Sequence, residues 1–86
     1  MAGETQRMAL AGLVEAARPW PVFRDSVEGA KANPTVRDAL RRLFTAVNSE
    51  STCPECGTTS ALGSLPPGVV CHLHAAMYVA EDALRG

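Results

Sequence analysis

The sequence predicts a mainly α fold, with three helices in residues 1–50 followed by a small module of different character in residues 51–86. In the first part, apolar residues recur at every third or fourth position, as they do on amphipathic helices. The second part contains all three cysteines and both histidines of the chain, between residues 53 and 74. We expect the two parts to pack as one small domain, although a helical segment with a separate module attached also fits the length.

The composition of the chain is that of a globular protein, with 47% hydrophobic and 20% charged residues. A core this small is only marginally stable by itself, so a metal ion or a partner would help to hold it. The net charge of −1 provides no general attraction to nucleic acid or to an anionic membrane. The apolar stretch at residues 8–14 is too short to span a membrane and lacks the features of a signal peptide, so we expect a cytoplasmic protein with reduced thiols.

The first two helices are predicted on either side of Trp20, which stands between two prolines. Helix one covers residues 5–17 and ends before Pro19, and helix two covers residues 22–32 with Pro21 at its start. The apolar side of helix one carries Leu10, Leu13, Val14 and Ala17, and that of helix two carries Phe23, Ser26, Val27 and Ala30. We interpret Trp20 as a core residue that closes the turn, and the alternative is an exposed anchor for a partner.

The third helix has the clearest pattern of the chain. Asn33 can cap it, and Pro34 suits its first position. Its apolar stripe consists of Val36, Leu40, Leu43, Phe44 and Val47, and its polar face carries Arg37, Arg41 and Arg42. These arginines are candidate nucleic-acid contacts. We favour a solvated face in which Asp38 pairs with Arg42, because nucleic-acid sites normally have a larger basic excess.

The second part of the chain is predicted to form a turn, a hairpin and a final helix. Residues 53–57 form the tight turn, and short strands at residues 58–62 and 69–70 flank a Pro-Gly pair that suits a type II turn. The final helix starts at Cys71, where helical periodicity returns. Its apolar side consists of Leu73, Ala76, Met77, Ala80 and Leu84.

Two pairs of residues in this part have the spacing of metal ligands. Cys53 and Cys56 are separated by two residues, which lets both thiolates reach one ion, and Gly57 allows the backbone to curl toward them. Cys71 and His74 are also separated by two residues and share one side of a helix, whose positive N-terminal end favours thiolates. Three thiolates and one imidazole form a closed tetrahedral site, so we expect one structural Zn²⁺.

Other interpretations of these residues are open. His72 is the alternative fourth ligand, although it lies about 100° around the helix from Cys71. An iron–sulfur cluster uses similar ligands but usually requires four cysteines. The cysteines could also be small buried apolar residues, with the histidines on the surface. Two correctly spaced pairs within one short segment favour the zinc site over these alternatives.

The run Cys-Pro-Glu-Cys-Gly at residues 53–57, followed by Cys-His-Leu-His at residues 71–74 on a predicted helix, resembles a treble-clef or zinc-ribbon-type zinc finger. In treble clefs a knuckle supplies the first ligand pair, and the first turn of a helix supplies the second. The resemblance covers roughly the last third of the chain and implies zinc binding. It implies no particular activity, because such modules serve many functions.

The distribution of charge separates the candidate functions. Residues 1–50 carry a net charge of +1 and residues 51–86 carry −2, which becomes about −3 when three thiolates bind one Zn²⁺. Because nucleic-acid-binding fingers are normally basic, we expect a protein-interaction or regulatory module whose partner is another protein, not a membrane. The alternative is a nucleic-acid-binding regulator that uses the arginines of helix three. We expect no enzymatic activity, because four protein ligands leave no open position on the ion.

Overall fold

The computed structural model describes residues 2–50, 52–57 and 71–85. Within these ranges the chain forms α1 (Ala2–Ala17), α2 (Arg24–Lys31), α3 (Val36–Asn48) and α4 (His72–Arg85), with a 3₁₀ turn at Pro21–Phe23. The prediction of a mainly α fold is confirmed for this part of the chain. The two predicted strands and the turn between them lie outside the described residues. None of the described helices combines the length and the apolar character needed to cross a membrane.

Helix α1 begins three residues earlier than predicted, at Ala2. Glu4 lies in its first turn, where a carboxylate interacts favourably with the positive end of the helix dipole. The helix ends at Ala17, whose carbonyl accepts the Trp20 N–H at 3.1 Å, and Pro19 prevents its continuation. Its buried side chains are Gln6, Ala9, Leu13, Ala16 and Ala17, and Leu10, Val14 and Trp20 pack against the same core while partly exposed.

The predicted second helix is divided in two. The Phe23 N–H donates to the Trp20 carbonyl at 3.0 Å, which closes the 3₁₀ turn. Phe23 itself has φ −105° and ψ 2°, outside the α-helical region, so α2 starts only at Arg24. The apolar side predicted for this segment is buried at Phe23, Val27 and Ala30, and Ser26 is half-buried.

Helix α3 starts at Val36, two residues after the predicted first position at Pro34. The prediction that Asn33 caps this helix is wrong, because the cap position belongs to Thr35 and Asn33 lies in the turn that ends α2, where its N–H donates to the Ala30 carbonyl at 3.1 Å. Thr35 occupies the cap position with extended backbone angles, and its side chain makes no capping hydrogen bond. The helix buries Ala39, Leu40, Leu43 and Val47.

Helix α4 packs against both α1 and α3. Gln6 Nε2 donates to the Ala83 carbonyl at 3.4 Å, which places the start of α1 beside the end of α4. Arg37 Nη2 on α3 donates to the carbonyl of Leu84 at 3.3 Å. Leu73, Met77 and Ala80 of α4 and the distant Cys53 belong to one cluster of buried residues with the N-terminal helices. The helical core therefore holds the first turn of α4, where the candidate ligands lie.

Candidate metal centre

Three sulfur atoms and one ring nitrogen converge at the start of α4. The Sγ atoms of Cys53, Cys56 and Cys71 and a ring nitrogen of His74 all lie within 4.8 Å of one another. Cys53 and His74 are buried, with exposed fractions of 1% and 0%, whereas Cys56 and Cys71 are half-buried. We refer to these four residues as the Cys3His cluster. Its donor atoms can hold one metal ion.

Residues 53–57, which we call the knuckle, supply the first two sulfurs. The Gly57 N–H donates to the Cys53 carbonyl at 2.9 Å, which closes the turn. Gly57 has a φ of 76°, a left-handed conformation that residues with a Cβ atom rarely adopt. The glycine thus turns the chain immediately after Cys56, so that both cysteines of the knuckle can face the start of α4.

Cys71 is both a member of the cluster and the N-cap of α4. Its carbonyl accepts the Ala75 N–H at 2.8 Å, and its Sγ accepts the His74 N–H at 3.4 Å. The sulfur takes the position that a serine oxygen takes in a common N-cap. The helix itself begins at His72, one residue after the predicted start. A thiolate here interacts favourably with the positive end of the helix dipole.

Glu55 provides a second contact between the knuckle and α4. Its Oε1 accepts a hydrogen bond from the backbone N–H of His72 at 3.1 Å, although 17 positions separate the two residues. This N–H is one of the amides that have no partner within the helix. Sequence reasoning missed Glu55 as a residue that contacts α4 beside the Cys3His cluster. The available signal was an acidic residue inside the Cys-x-x-Cys turn, but its partner becomes visible only in the folded chain.

The distances between the donor atoms of the cluster can be compared with those expected around one tetrahedrally coordinated zinc ion. With Zn–S near 2.3 Å and Zn–N near 2.0–2.1 Å, two sulfurs lie about 3.8 Å apart, and a sulfur and a nitrogen about 3.6 Å. The Cys53 and Cys71 Sγ atoms are 3.7 Å apart, and Cys56 Sγ lies 3.5 Å from His74 Nδ1. Cys71 Sγ lies 3.1 Å from the same nitrogen. Two of these separations suit the ion as they stand, and the third requires a shift of about 0.5 Å.

The two histidines have different surroundings. His74 directs Nδ1 toward the sulfurs, and its buried Nε2 has no hydrogen-bond partner among the described residues. His72 is exposed and lies outside the Cys3His cluster, at the end of a groove between α1 and α4. The structure therefore brings His74, and not His72, to the three cysteines.

The surroundings of Cys71 favour its neutral thiol in the absence of a cation. The pKa of this thiol is raised to about 11, mainly by burial and also by the neighbouring Cys53 and Cys56 sulfurs, while the His74 N–H acts in the opposite direction. A metal ion that binds here must displace this proton, so its affinity falls as the pH decreases.

The arginines of α3 are distributed over different contacts. Arg37 donates to the Leu84 carbonyl, whereas Arg41 and Arg42 line a shallow surface groove together with Asp38 and other polar residues. The predicted ion pair between Asp38 and Arg42 is wrong. Ion pairs do join Arg18 to Glu15 and Arg85 to Glu81.

Comparison of the chain with known protein families, with curated protein sequences and with solved structures finds no match. The geometry of the Cys3His cluster and the surface around it are therefore the features that bear on function.

Proposed function

We propose that the Cys3His cluster binds one structural Zn²⁺ and that the chain acts as a small zinc-stabilised interaction module. The observation that carries the proposal is the convergence of three cysteine sulfurs and His74 Nδ1 within 4.8 Å of one another, with two of the separations already suited to one tetrahedral ion. Zn²⁺ is the ion typical of such a donor set. The knuckle and the first turn of α4 then correspond to the two ligand-bearing parts of a treble-clef or zinc-ribbon-type site.

A metal ion that joins the knuckle to α4 would stabilise the folded position of the knuckle. Within residues 52–57 only Cys53 is buried, so the knuckle gains little from apolar packing. Ordering its backbone costs about 1–2 kcal/mol per residue. When bound, the ion joins both elements and compensates the charge of the thiolates, and its binding free energy contributes directly to folding.

The proposed role of the ion is structural and not catalytic. Four protein donors fill a tetrahedral coordination shell, whereas catalytic zinc sites keep one position for water or substrate. The burial of Cys53 and His74 supports this assignment, because it restricts access of a substrate to the ion.

The proposed partner is a protein. The knuckle and α4 carry Glu55, Glu81 and Asp82 against Arg85, and three thiolates with one Zn²⁺ add a further negative charge, so this side repels phosphate. The alternative of nucleic-acid binding would depend on α3, where Arg37 already bonds to Leu84 and Asp38 shares the groove of the remaining arginines. We therefore propose protein binding and no membrane contact.

Elemental analysis of purified protein tests the metal site. We expect one zinc per chain, a loss of zinc in His74→Ala and its retention in His72→Ala, because only His74 lies with the sulfurs. His74→Cys serves as a rescue variant, since a fourth thiolate can complete the same tetrahedral shell. Iron in anaerobically prepared protein, or a larger loss of zinc in His72→Ala, would contradict the proposal.

A further inference from the structure

An apolar groove of about 230 Å³ runs along the surface between α1 and α4. Met8 and Val79 form its walls and are 70% and 56% exposed, so together they give the groove a solvent-accessible apolar surface. The floor consists of small residues, namely Ala9, Gly12, Ala75 and Ala76. Since the start of α1 lies beside the end of α4 and Gly12 lies beside Ala75, the two helices run antiparallel.

Gly12 lies on the groove floor in the middle of α1, where the fold itself does not require a glycine. A Cβ atom built at this position would meet nothing within 4 Å. Alanine would fit there and is the better helix-forming residue. The missing side chain therefore deepens the groove and lets a partner's backbone approach α1 closely.

On both α1 and α4, carboxylate side chains lie next to the residues that line the groove. On α1, Glu4 precedes Met8 by four positions and Glu15 follows Gly12 by three, so both lie on the groove side of the helix. On α4, Asp82 follows Val79 by three positions. All three are exposed, and of these Glu15 forms a solvent-exposed ion pair with Arg18.

Arg18 pairs with Glu15 of this carboxylate border, so Glu4 and Asp82 carry its remaining negative charge. Arg7 lies about 140° around α1 from Gly12 and so faces away from the groove. Arg85 pairs with Glu81. The groove is therefore an apolar channel with an acidic border.

We propose that this groove binds an amphipathic helix of another protein, one with an apolar stripe flanked by lysines or arginines. A channel between two antiparallel helices with a small-residue floor suits the apolar face of a third helix. Basic flanking residues complement the carboxylates of Glu4 and Asp82. A second copy of the chain would instead bring two acidic borders together, which is unfavourable.

This inference rests on the proposed zinc site, because the ion fixes one end of the groove. The Cys71 Sγ caps α4 by accepting the His74 N–H, and His72 and Ala75 of the same first turn line the groove. Removal of zinc is expected to loosen this wall and to weaken binding of the partner helix.

The test uses the zinc-loaded chain of residues 1–86 and fluorescein-labelled synthetic peptides of about 18 residues, roughly 27 Å long as helices. The first peptide carries a leucine stripe at helical spacing with lysines beside it. The second has the same composition with the stripe scrambled, and the third replaces the lysines with glutamates. Binding is measured by fluorescence anisotropy. Zinc content is measured for every sample, so that loss of the metal and loss of the groove are distinguishable.

We expect the lysine-flanked peptide to bind at least about tenfold more tightly than the other two. Met8→Glu and Val79→Glu should each weaken this binding about tenfold or more while the protein keeps its zinc and its helical circular dichroism. Val22→Glu is the matched control, because Val22 is a 62% exposed apolar residue outside the groove.

Three results would overturn the inference. Equal binding of the striped and scrambled peptides would mean that the groove does not recognise a helix face. If the glutamate-flanked peptide bound as tightly as the lysine-flanked peptide, the acidic border would not contribute to recognition. A wild-type dimer in analytical ultracentrifugation that Met8→Glu dissociates would assign the groove to a second copy. If the chain contains no zinc but binds the striped peptide, the metal proposal is wrong and the groove proposal stands.

Discussion

The hydrogen bond from the His72 N–H to Glu55 joins the knuckle to α4 without involving the metal, and its removal gives a measurable prediction. Glu55→Ala leaves an amide at the helix start without its carboxylate partner and removes a negative charge from the positive end of the dipole. Loss of such a capping contact costs about 0.5–2 kcal/mol. Because Glu55 is exposed, we expect the lower half of this range, about 1 kcal/mol.

For a domain of this size, a loss of 1 kcal/mol corresponds to a decrease in Tm of about 4–8 °C. The assay is thermal unfolding of the zinc-loaded protein followed by circular dichroism. Glu55→Gln keeps an oxygen acceptor and should lose less, and Glu28→Ala removes another exposed glutamate, from α2, as the matched control. If Glu55→Ala and Glu28→Ala change Tm equally, the contact between knuckle and helix does not stabilise the fold and the reasoning is refuted.

Three further predictions concern other parts of the molecule. Gly12→Ala should stabilise the protein by about 0.5–1 kcal/mol in urea unfolding, because the added Cβ has open space around it; a destabilised variant would contradict the open groove floor. In metal-free protein, the raised pKa of Cys71 means that its neutral thiol stabilises the fold below pH 9.0 and that this contribution is lost as the pH rises toward about 11. The loss should shrink in Cys71→Ser, and an unchanged pH dependence would show that this thiol is not responsible. A strong chelator should reduce amide protection at the knuckle and the first turn of α4 before it does so in α1 to α3; uniform loss would mean that the chain unfolds as one unit.

The helices could be predicted from the sequence because their apolar residues recur with helical spacing. Leu40, Leu43 and Val47 follow this pattern, and all three are buried in α3. The helix starts were less predictable, because capping residues have more than one possible partner. Asn33 is suited to cap α3, yet it lies in the turn that ends α2, and Thr35 occupies the cap position. Local sequence does not decide between such alternatives.

The members of the candidate metal site could be predicted because their spacing is local within each pair. Cys53 and Cys56 lie on one turn, and Cys71 and His74 lie on one helical turn, so only the meeting of the two pairs depends on the fold. The groove could not be predicted in this way. Met8 and Val79 are ordinary exposed residues on separate helices until α1 and α4 pack side by side.

X-ray absorption at the zinc edge tests the central claim most directly, since it counts the atoms bound to the ion. With purified wild-type protein, we expect a first shell of three sulfurs at about 2.3 Å and one nitrogen at about 2.0–2.1 Å. His72→Ala should give the same spectrum, because His72 lies outside the Cys3His cluster. A first shell with two nitrogens, or with oxygen in place of sulfur, would contradict the account. So would a spectrum that changes when His72 is replaced.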